Sequence, residues 1–340
     1  MRSTKIPNTH PIAVLGAGAW GTALAILLAR NGKSTILWSW ETDHAQALRE
    51  DRQNQRFLPN YPFPSLLSIT SNLTDALSHA RDVLIAVPSY AFREVLESSA
   101  LTFTSNSRIV WATKGFEPGT GRLLHQVAAD IVGPDTPMAV LSGPTFAAEV
   151  AGGLPTAVTI ASTNDPFAQD LSMFLHSQRF RVYTSRDIIG VQIGGAVKNI
   201  LAIAAGTADG FGFGANARAA LITRGLAELV RFGVEFGGER ETFMGFAGLG
   251  DLVLTCTDDQ SRNRRFGLAL AEGKSPEEAK RSIGQVIEGI NSTRVVVSLA
   301  RRRDIEMPIT EQVHRVLFEH IPPLDAVNTL LARSARPENL

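Results

Sequence analysis

Cysteine is all but missing from this 340-residue chain, where Cys256 stands alone. An intramolecular disulfide and a multi-cysteine zinc site are thereby excluded, and a reducing, cytoplasmic setting is the preference that follows. An excess of either charge is missing too. Lysine plus arginine equals aspartate plus glutamate at 33 each, so no global field draws the chain to nucleic acid or to a membrane surface. No uninterrupted apolar stretch reaches the ~20 residues of a membrane span. The longest candidate, ILAIAAGTADGFGFGA, is interrupted by Asp209 and several glycines. The seven histidines show no H-x-x-x-H spacing, so no metal is expected. Neither an internal repeat nor a low-complexity linker is visible.

What is there is globular composition, 44% hydrophobic and 19% charged, in a chain too long for one ordinary core. The opening MRSTKIPNTHPIAVLGAG has a short apolar run that flows into glycines without a small-residue cleavage site, and reads as a buried strand rather than a signal peptide. Ile12–Leu15, Thr35–Trp38, RDVLIAVPS, SRIVWATKG, PMAVLSGP, TAVTIAS and FRVYTS are short strand-like runs. Helical patterns separate most of them, including one from about Gly21 to Asn31, YAFREVLES and GRLLHQVAADIV. Continuous apolar strands alternating with helices predict an α/β Rossmann-type domain over 1–186, its mostly parallel sheet covered on both faces. From 187 to 333 the chain offers long helical patterns, and an all-α domain is expected, with 334–340 a frayed tail. Within it Arg224 and Glu228 are spaced as an i, i+4 pair, and Ser275 with Pro276 reads as a helix start.

Gly16, Gly18 and Gly21 form G-x-G-x-x-G directly between a predicted strand and helix. The first glycine suits a tight turn, the second a close backbone approach to a pyrophosphate, and the third helix–strand packing. The helix N-terminus offers free N–H groups and a positive dipole end to phosphates. A purely structural loop is the alternative. After the second strand, Glu41 either bonds a ribose 2′-hydroxyl, favouring NAD, or caps the following helix; Arg49 and Arg52 lie not far along. NAD versus NADP stays open.

Hydride transfer to a ketone builds negative charge on oxygen, which a cation or acid must meet and then protonate. Lys114 follows the strand RIVWA at the carboxyl end of the sheet, where open α/β sheets bind ligands. Lys198 lies in GGAVKNILAIAAG, as either a snorkelling surface residue or a group in a poorly solvated pocket with a lowered pKa. Asp251 follows two glycines and suits orienting a lysine or a hydroxyl. Ser261, Arg262 and Asn263 bring together donors suited to a phosphoester. The alternatives for SRNRR are a solvated basic face or an RNA patch, and no interleaved aromatic residues support the latter. Cys256 reads as a small core residue. Gly143-Pro144 ends a strand and Thr145 starts a helix, another anion site. Val286 and Glu288 in GQVIEG either touch the nicotinamide or form an ordinary loop.

Taken together, GAGAWGTALA, ATKGFE, LSGPTFAAEV, GGAVKNILAIAAG, NARAALITRGLAE, GLGDLVLTC, SRNRRFG and GQVIEG resemble, in order, the soluble nicotinamide-dependent bacterial glycerol-3-phosphate dehydrogenases. The resemblance implies reversible reduction of dihydroxyacetone phosphate to sn-glycerol 3-phosphate by NAD(P)H for glycerophospholipid synthesis. It also implies a cytoplasmic homodimer with a helical domain like that of 6-phosphogluconate dehydrogenase. Lys198 would be the general acid/base. Lys114, Gly143, Thr145, Lys198, Asp251, Ser261, Arg262 and Asn263 match substrate positions, with Lys114 and Asp251 also in catalytic roles. Gly16, Gly18, Ala19, Trp20, Gly21, Lys114, Ala147, Arg262, Val286 and Glu288 match cofactor positions. Three residues depart from the pattern: Ala19 where serine is frequent, Ala217 for the usual threonine, and Trp40 where NADP-using relatives often carry arginine or histidine. Another two-domain keto- or hydroxy-acid reductase, and a non-catalytic dinucleotide sensor, are the alternatives.

Overall fold

The computed structural model describes residues 10–334, so the first nine residues and all but Ser334 of the expected frayed tail lie outside it. The chain divides into two compact units. The first comprises the described residues up to Thr113 together with Leu124–Ile188, and the second Lys114–Leu123 together with Ile189 onward.

The first unit is built on β1 (Ile12–Leu15), β2 (Thr35–Trp38), β3 (Leu67–Thr70), β4 (Asp82–Ile85), β5 (Arg108–Trp111), β6 (Met138–Ser142), β7 (Thr156–Ala161) and β8 (Phe180–Ser185). They form one sheet in the order β3-β2-β1-β4-β5-β6-β7-β8. Every pairing is parallel except β6 with β7, which is antiparallel. Because β1 pairs with β2 on one side and β4 on the other, the strand order reverses at β1, and ligands of such sheets bind at the carboxyl ends beside that point. Strands β1 and β4 are buried along their whole length, which is why they read as unbroken apolar runs. Seven helices connect the strands: α1 (Ala19–Arg30), α2 (Thr42–Asp51), α3 (Leu73–Leu77), α4 (Phe92–Ala100), α5 (Leu124–Val132), α6 (Ala147–Gly152) and α7 (Asp165–Leu175).

The second unit centres on α8 (Ile188–Gly210), surrounded by α9 (Gly214–Glu235), α10 (Arg240–Phe243), α11 (Asp251–Thr257), α12 (Arg262–Ala271), α13 (Pro276–Ile283), α14 (Glu288–Arg302), α15 (Pro308–Phe318) and α16 (Pro323–Leu331). The stretch ILAIAAGTADGFGFGA is broken where α8 ends at Gly210, with Gly212 and Gly214 at positive φ, whereas Gly206 and Asp209 stand inside the helix. The helix runs 23 residues and is long and apolar enough to cross a membrane by length and composition, yet 83% of its most apolar window is buried within the protein. Its glycines let neighbouring helices close in: a Cβ on Gly206 would lie 2.0 Å from the carbonyl oxygen of Arg264. Asp209 is compensated by Arg218 at 2.8 Å and by Arg264.

Two local expectations meet different fates. Ser275 caps α13 in a reciprocal capping box with Glu278, and Pro276 stands in the first turn. Glu228, in contrast, does not serve Arg224. It is buried and accepts from the backbone N–H groups of Ile309 (2.6 Å) and Thr310 (3.1 Å), and from the Thr310 hydroxyl (3.0 Å). It thus caps α15 from another helix, because unpaired N–H groups at a buried helix start outbid an exposed i, i+4 pair. Among the described residues, Glu311, His314 and Glu319 hold ligand-type atoms within 4.8 Å of one another, with Arg301 pairing both carboxylates.

Candidate active site

The glycine turn follows β1 at the strand-order reversal. Gly16 has φ +115° and a Cβ there would lie 2.9 Å from the carbonyl oxygen of Ala86, so the turn closes only around a residue without a side chain. A Cβ on Gly21 would fall 1.9 Å from the carbonyl oxygen of Gly16, which fixes how tightly α1 packs on β1. Gly18 caps α1 without a side chain, no acidic residue occupies the first turn, and a Cβ at Gly18 would meet no protein atom within 4 Å. This leaves a bare, positively polarised helix start with space beside it, which fits a pyrophosphate. Trp20 adds a buried indole N–H with no hydrogen-bond partner, an orphaned donor in that same turn.

Behind the loop lies a buried polar relay that sequence reading missed. Asn54 donates to the carbonyl oxygen of Ala17 (2.9 Å) and to Thr22 Oγ1 (2.8 Å), and its own oxygen accepts from the Phe57 N–H at 3.1 Å. His44 bridges Asn54 Oδ1 and Ser39 Oγ, each at 3.3 Å. Glu41 occupies the N-cap position of α2, but its side chain makes no capping bond; its carboxylate accepts from Arg56 Nη1 at 2.7 Å. Both sequence readings of Glu41 therefore overlooked its nearest charged neighbour.

Gly143 and Thr145 follow β6. Thr145 does not start a helix: α6 begins at Ala147 with Phe146 at its N-cap and is six residues long. The Thr145 hydroxyl donates to the Gly143 carbonyl oxygen at 3.1 Å, so the anion site expected at a helix N-terminus here is instead a short turn.

In the helical unit, two lysines converge on one carboxylate. Lys114 Nζ donates to Asp251 Oδ2 at 2.6 Å, Lys198 Nζ donates to Asp251 Oδ1, and Lys198 also donates to Thr255 Oγ1 at 2.8 Å. The Thr255 hydroxyl donates in turn to the Asp251 carbonyl oxygen at 2.6 Å. Asp251 is fully buried and Lys198 is 6% exposed, which decides against snorkelling. A π-helical turn, Phe246–Gly250, delivers Asp251 into this position at the start of α11. Burial lowers the Lys198 pKa to about 7; Asp251 opposes that shift and the Lys114 charge adds to it.

One residue further along α8, Asn199 Oδ1 accepts from Asn263 Nδ2 at 2.9 Å, and Asn263 Oδ1 accepts from the Gly289 N–H at 3.0 Å. Gly289 must lack a side chain, since a Cβ would lie 2.7 Å from Asn263 Oδ1 and 2.8 Å from the carbonyl oxygen of Asn199. Ser261 caps α12, its Oγ accepting from the Arg264 N–H at 3.2 Å, and Arg262 stands exposed in the first turn. Arg264 is spent on Asp209 and Asp259, so SRNRR is not a uniformly solvated basic face. Val286 lies in the connection after α13, and Glu288 opens α14, within electrostatic reach of Arg262. Cys256 is a buried core residue whose thiol is pushed up to about 12 by desolvation, which makes it a poor nucleophile. The structure thus gathers Lys114, Lys198 and Asp251 and adds Thr255, Asn199 and Gly289, whose contacts with Lys198, Asn263 and Asn263 respectively span 57, 64 and 26 positions of sequence.

Comparison with known proteins supplies the family. The profile for the NAD-dependent glycerol-3-phosphate dehydrogenase N-terminus matches residues 11–168, and that for the C-terminus residues 187–328. Glycerol-3-phosphate dehydrogenase [NAD(P)+] of Nitrosococcus oceani is 58% identical over 96% of this chain and 94% of its own length. Its counterpart from Shewanella halifaxensis is 55% identical over 97% and 98% respectively. A crystal structure of glycerol-3-phosphate dehydrogenase from Coxiella burnetii, 55% identical, superposes with a TM-score of 0.93 over 95% of this chain and 99% of that one. The chain therefore belongs to the NAD-dependent glycerol-3-phosphate dehydrogenase family, ahead of the keto-acid reductase and sensor alternatives.

Proposed function

We propose that this chain reversibly reduces dihydroxyacetone phosphate to sn-glycerol 3-phosphate with NAD(P)H, and that Lys198 gives and takes the proton at the substrate oxygen. The observation that carries the assignment of roles is the buried cluster of Lys114, Asp251, Lys198 and Thr255. An ammonium beside a ketone oxygen stabilises developing negative charge before it donates its proton. With its pKa lowered to about 7, Lys198 has both forms within reach at neutral pH: the ammonium serves reduction and the amine serves oxidation. Asp251 accepts from both lysines and keeps the Lys198 pKa from falling further. Thr255 fixes the direction of the Lys198 ammonium.

NAD(P)H, when bound, supplies the hydride. We assign its binding to Gly16, Gly18, Ala19, Trp20, Gly21, Lys114, Ala147, Arg262, Val286 and Glu288. The substrate is assigned to Lys114, Gly143, Thr145, Lys198, Asp251, Ser261, Arg262 and Asn263, with the guanidinium of Arg262 suited to bidentate pairing with the phosphate. Residues 1–186 would then serve the cofactor and 187–333 the substrate, in a cytoplasmic homodimer whose product feeds glycerophospholipid synthesis. Single-turnover reduction by Lys198→Met tests the central role. The rate should fall by about 10²–10⁴-fold, the usual worth of a positioned acid, and a loss under tenfold would rule Lys198 out as the proton donor.

A further inference from the structure

We propose that Arg264 is a positioning residue for the substrate phosphate: held by Asp209 of α8, it sets the first turn of α12 and so the direction from which Arg262 grips the phosphoryl group. The proposal rests on the phosphate reading of Ser261, Arg262 and Asn263 given above, and names what holds that triplet in place. Asp209 lies in the last turn of α8, where the negative end of the helix dipole disfavours an acid. Its side chain is only 8% exposed, and two guanidinium groups meet it there, Arg218 of α9 through Nε and Arg264 of α12 through Nη1.

Arg264 follows Asn263 in α12, and three of its contacts bear on the turn that carries the triplet. Its backbone N–H donates to Ser261 Oγ at 3.2 Å, which closes the cap. Its Nε donates to Asp259 Oδ1 at 2.9 Å, which holds the chain as it enters the helix. Its Nη1 donates to Asp209 Oδ2. Asn263 reaches α8 separately, donating to Asn199 Oδ1 at 2.9 Å.

These two ties matter because the surface between α8 and α12 is lined by glycine. A Cβ on Gly206 would lie 2.0 Å from the Arg264 carbonyl oxygen, and one on Gly267 would lie 2.1 Å from that of Ile203. Backbone packed on backbone offers no interlocking side chains at these points to stop α12 turning about its own axis. Asn263 and Arg264 leave α12 about 100° apart around the helix, and together they stop that rotation. Without the Arg264 tie, a turn of about 10° moves a side-chain tip, about 6 Å from the axis, by about 1 Å. A misplacement of that size costs up to about 10²-fold where geometry is exacting. Arg218 shares the compensation of Asp209 from α9 but not the hold on α12.

Steady-state kinetics of full-length Arg264→Gln, Arg264→Lys, Asp209→Asn and Arg218→Gln at saturating cofactor test the proposal, with inorganic phosphate as competitive probe. Arg264→Gln and Asp209→Asn should each raise KM for dihydroxyacetone phosphate and Ki for phosphate about tenfold. Both should keep kcat within about threefold of wild type and keep its pH dependence, because the Lys198 cluster is untouched. Arg264→Lys should recover part of the loss, and Arg218→Gln should shift KM less than about twofold. Placed in an Arg262→Ala background, Arg264→Gln should add less than about twofold, as a residue acting through another must. The proposal is overturned by an unchanged KM in Arg264→Gln and Asp209→Asn, or by a loss confined to kcat. It is equally overturned if the full effect persists without Arg262, or if Arg218→Gln matches Arg264→Gln, which would reduce the network to charge balance. Should Arg264→Gln not fold, Arg264→Lys and Asp209→Asn carry the same comparison. A wild type inactive on dihydroxyacetone phosphate would instead overturn the functional reading beneath it.

Discussion

Replacing Asp251 with Asn keeps the shape of the buried cluster and removes its only carboxylate. Asp251 contacts both lysines, and its charge is what holds the Lys198 pKa up against burial and against Lys114. An opposite charge in contact is worth about 1–3 pKa units, so the Lys198 pKa should drop from about 7 by that amount. Each unit removes about tenfold of the ammonium form at pH values above the new pKa, and a more acidic lysine recovers part of the rate through faster proton delivery. The assay is kcat/KM for dihydroxyacetone phosphate from pH 5 to 9 at saturating cofactor, paired with the reverse oxidation. In wild type the reduction limb should descend, and the oxidation limb ascend, near pH 7. In Asp251→Asn both limbs should move acidward together, since the two directions share one transition state. Loss of the buried carboxylate that both lysines contact also destabilises the fold, by about 3–5 kcal/mol. A uniform loss of activity with limbs unmoved would mean that Asp251 supports the fold alone and does not set the proton donor.

Glu228 offers a stability test with a definite sign. Burial raises its folded pKa to about 7 from 4.5, so the protein binds a proton on folding, and the associated stability is present below pH 4.5 and lost as pH rises through 7. Thermal denaturation of wild type and Glu228→Gln from pH 4 to 8 should show a steeper decline for wild type, amounting to at most about 3 kcal/mol; parallel curves would refute the shift. Gly289→Ala places a methyl against Asn263 and Asn199, and should cost about 1–3 kcal/mol while raising the substrate KM through displacement of Asn263. An unchanged KM at reduced stability would separate Gly289 from the site. Arg262→Ala should raise KM for dihydroxyacetone phosphate at least tenfold but leave KM for unphosphorylated dihydroxyacetone within threefold; equal effects would argue against phosphate recognition.

The parts of this fold legible in the sequence are those whose causes are local. The glycine triplet reads correctly because a turn, a bare helix start and a close helix–strand contact each demand glycine at a fixed offset, and the strands buried on both faces announce themselves as apolar runs. Strand β3, LSIT, escaped because it carries only two buried residues between polar ones. Lys198 was ambiguous because α8 is apolar on all sides, so periodicity gives no direction for one polar residue. Asp251 resolves it, from 53 positions away in sequence, and Lys114 meets Asp251 across 137 positions. Asn54 and Gly289 are likewise tied to long-range partners, Ala17 and Thr22 for the first and Asn263 for the second. Glu228 shows the converse failure, in which a valid local rule chose a partner and a buried helix start chose another.

The short stretch Lys114–Leu123 has a consequence for how the chain is made. It is synthesised between β5 and α5, yet it clusters with the helical unit, where Phe116 and Leu123 are buried in the core with residues of α8, α9 and α14. That core does not exist until well over a hundred further residues have been added. Until those helices have been made, Phe116 and Leu123 have no such core to enter, and bringing them to it carries the entropy of closing a long loop. Cutting the gene after residue 186 would strand Lys114 and two core side chains on the wrong fragment. The cluster of Lys114, Asp251 and Lys198 closes through contacts that span as many as 137 positions of sequence.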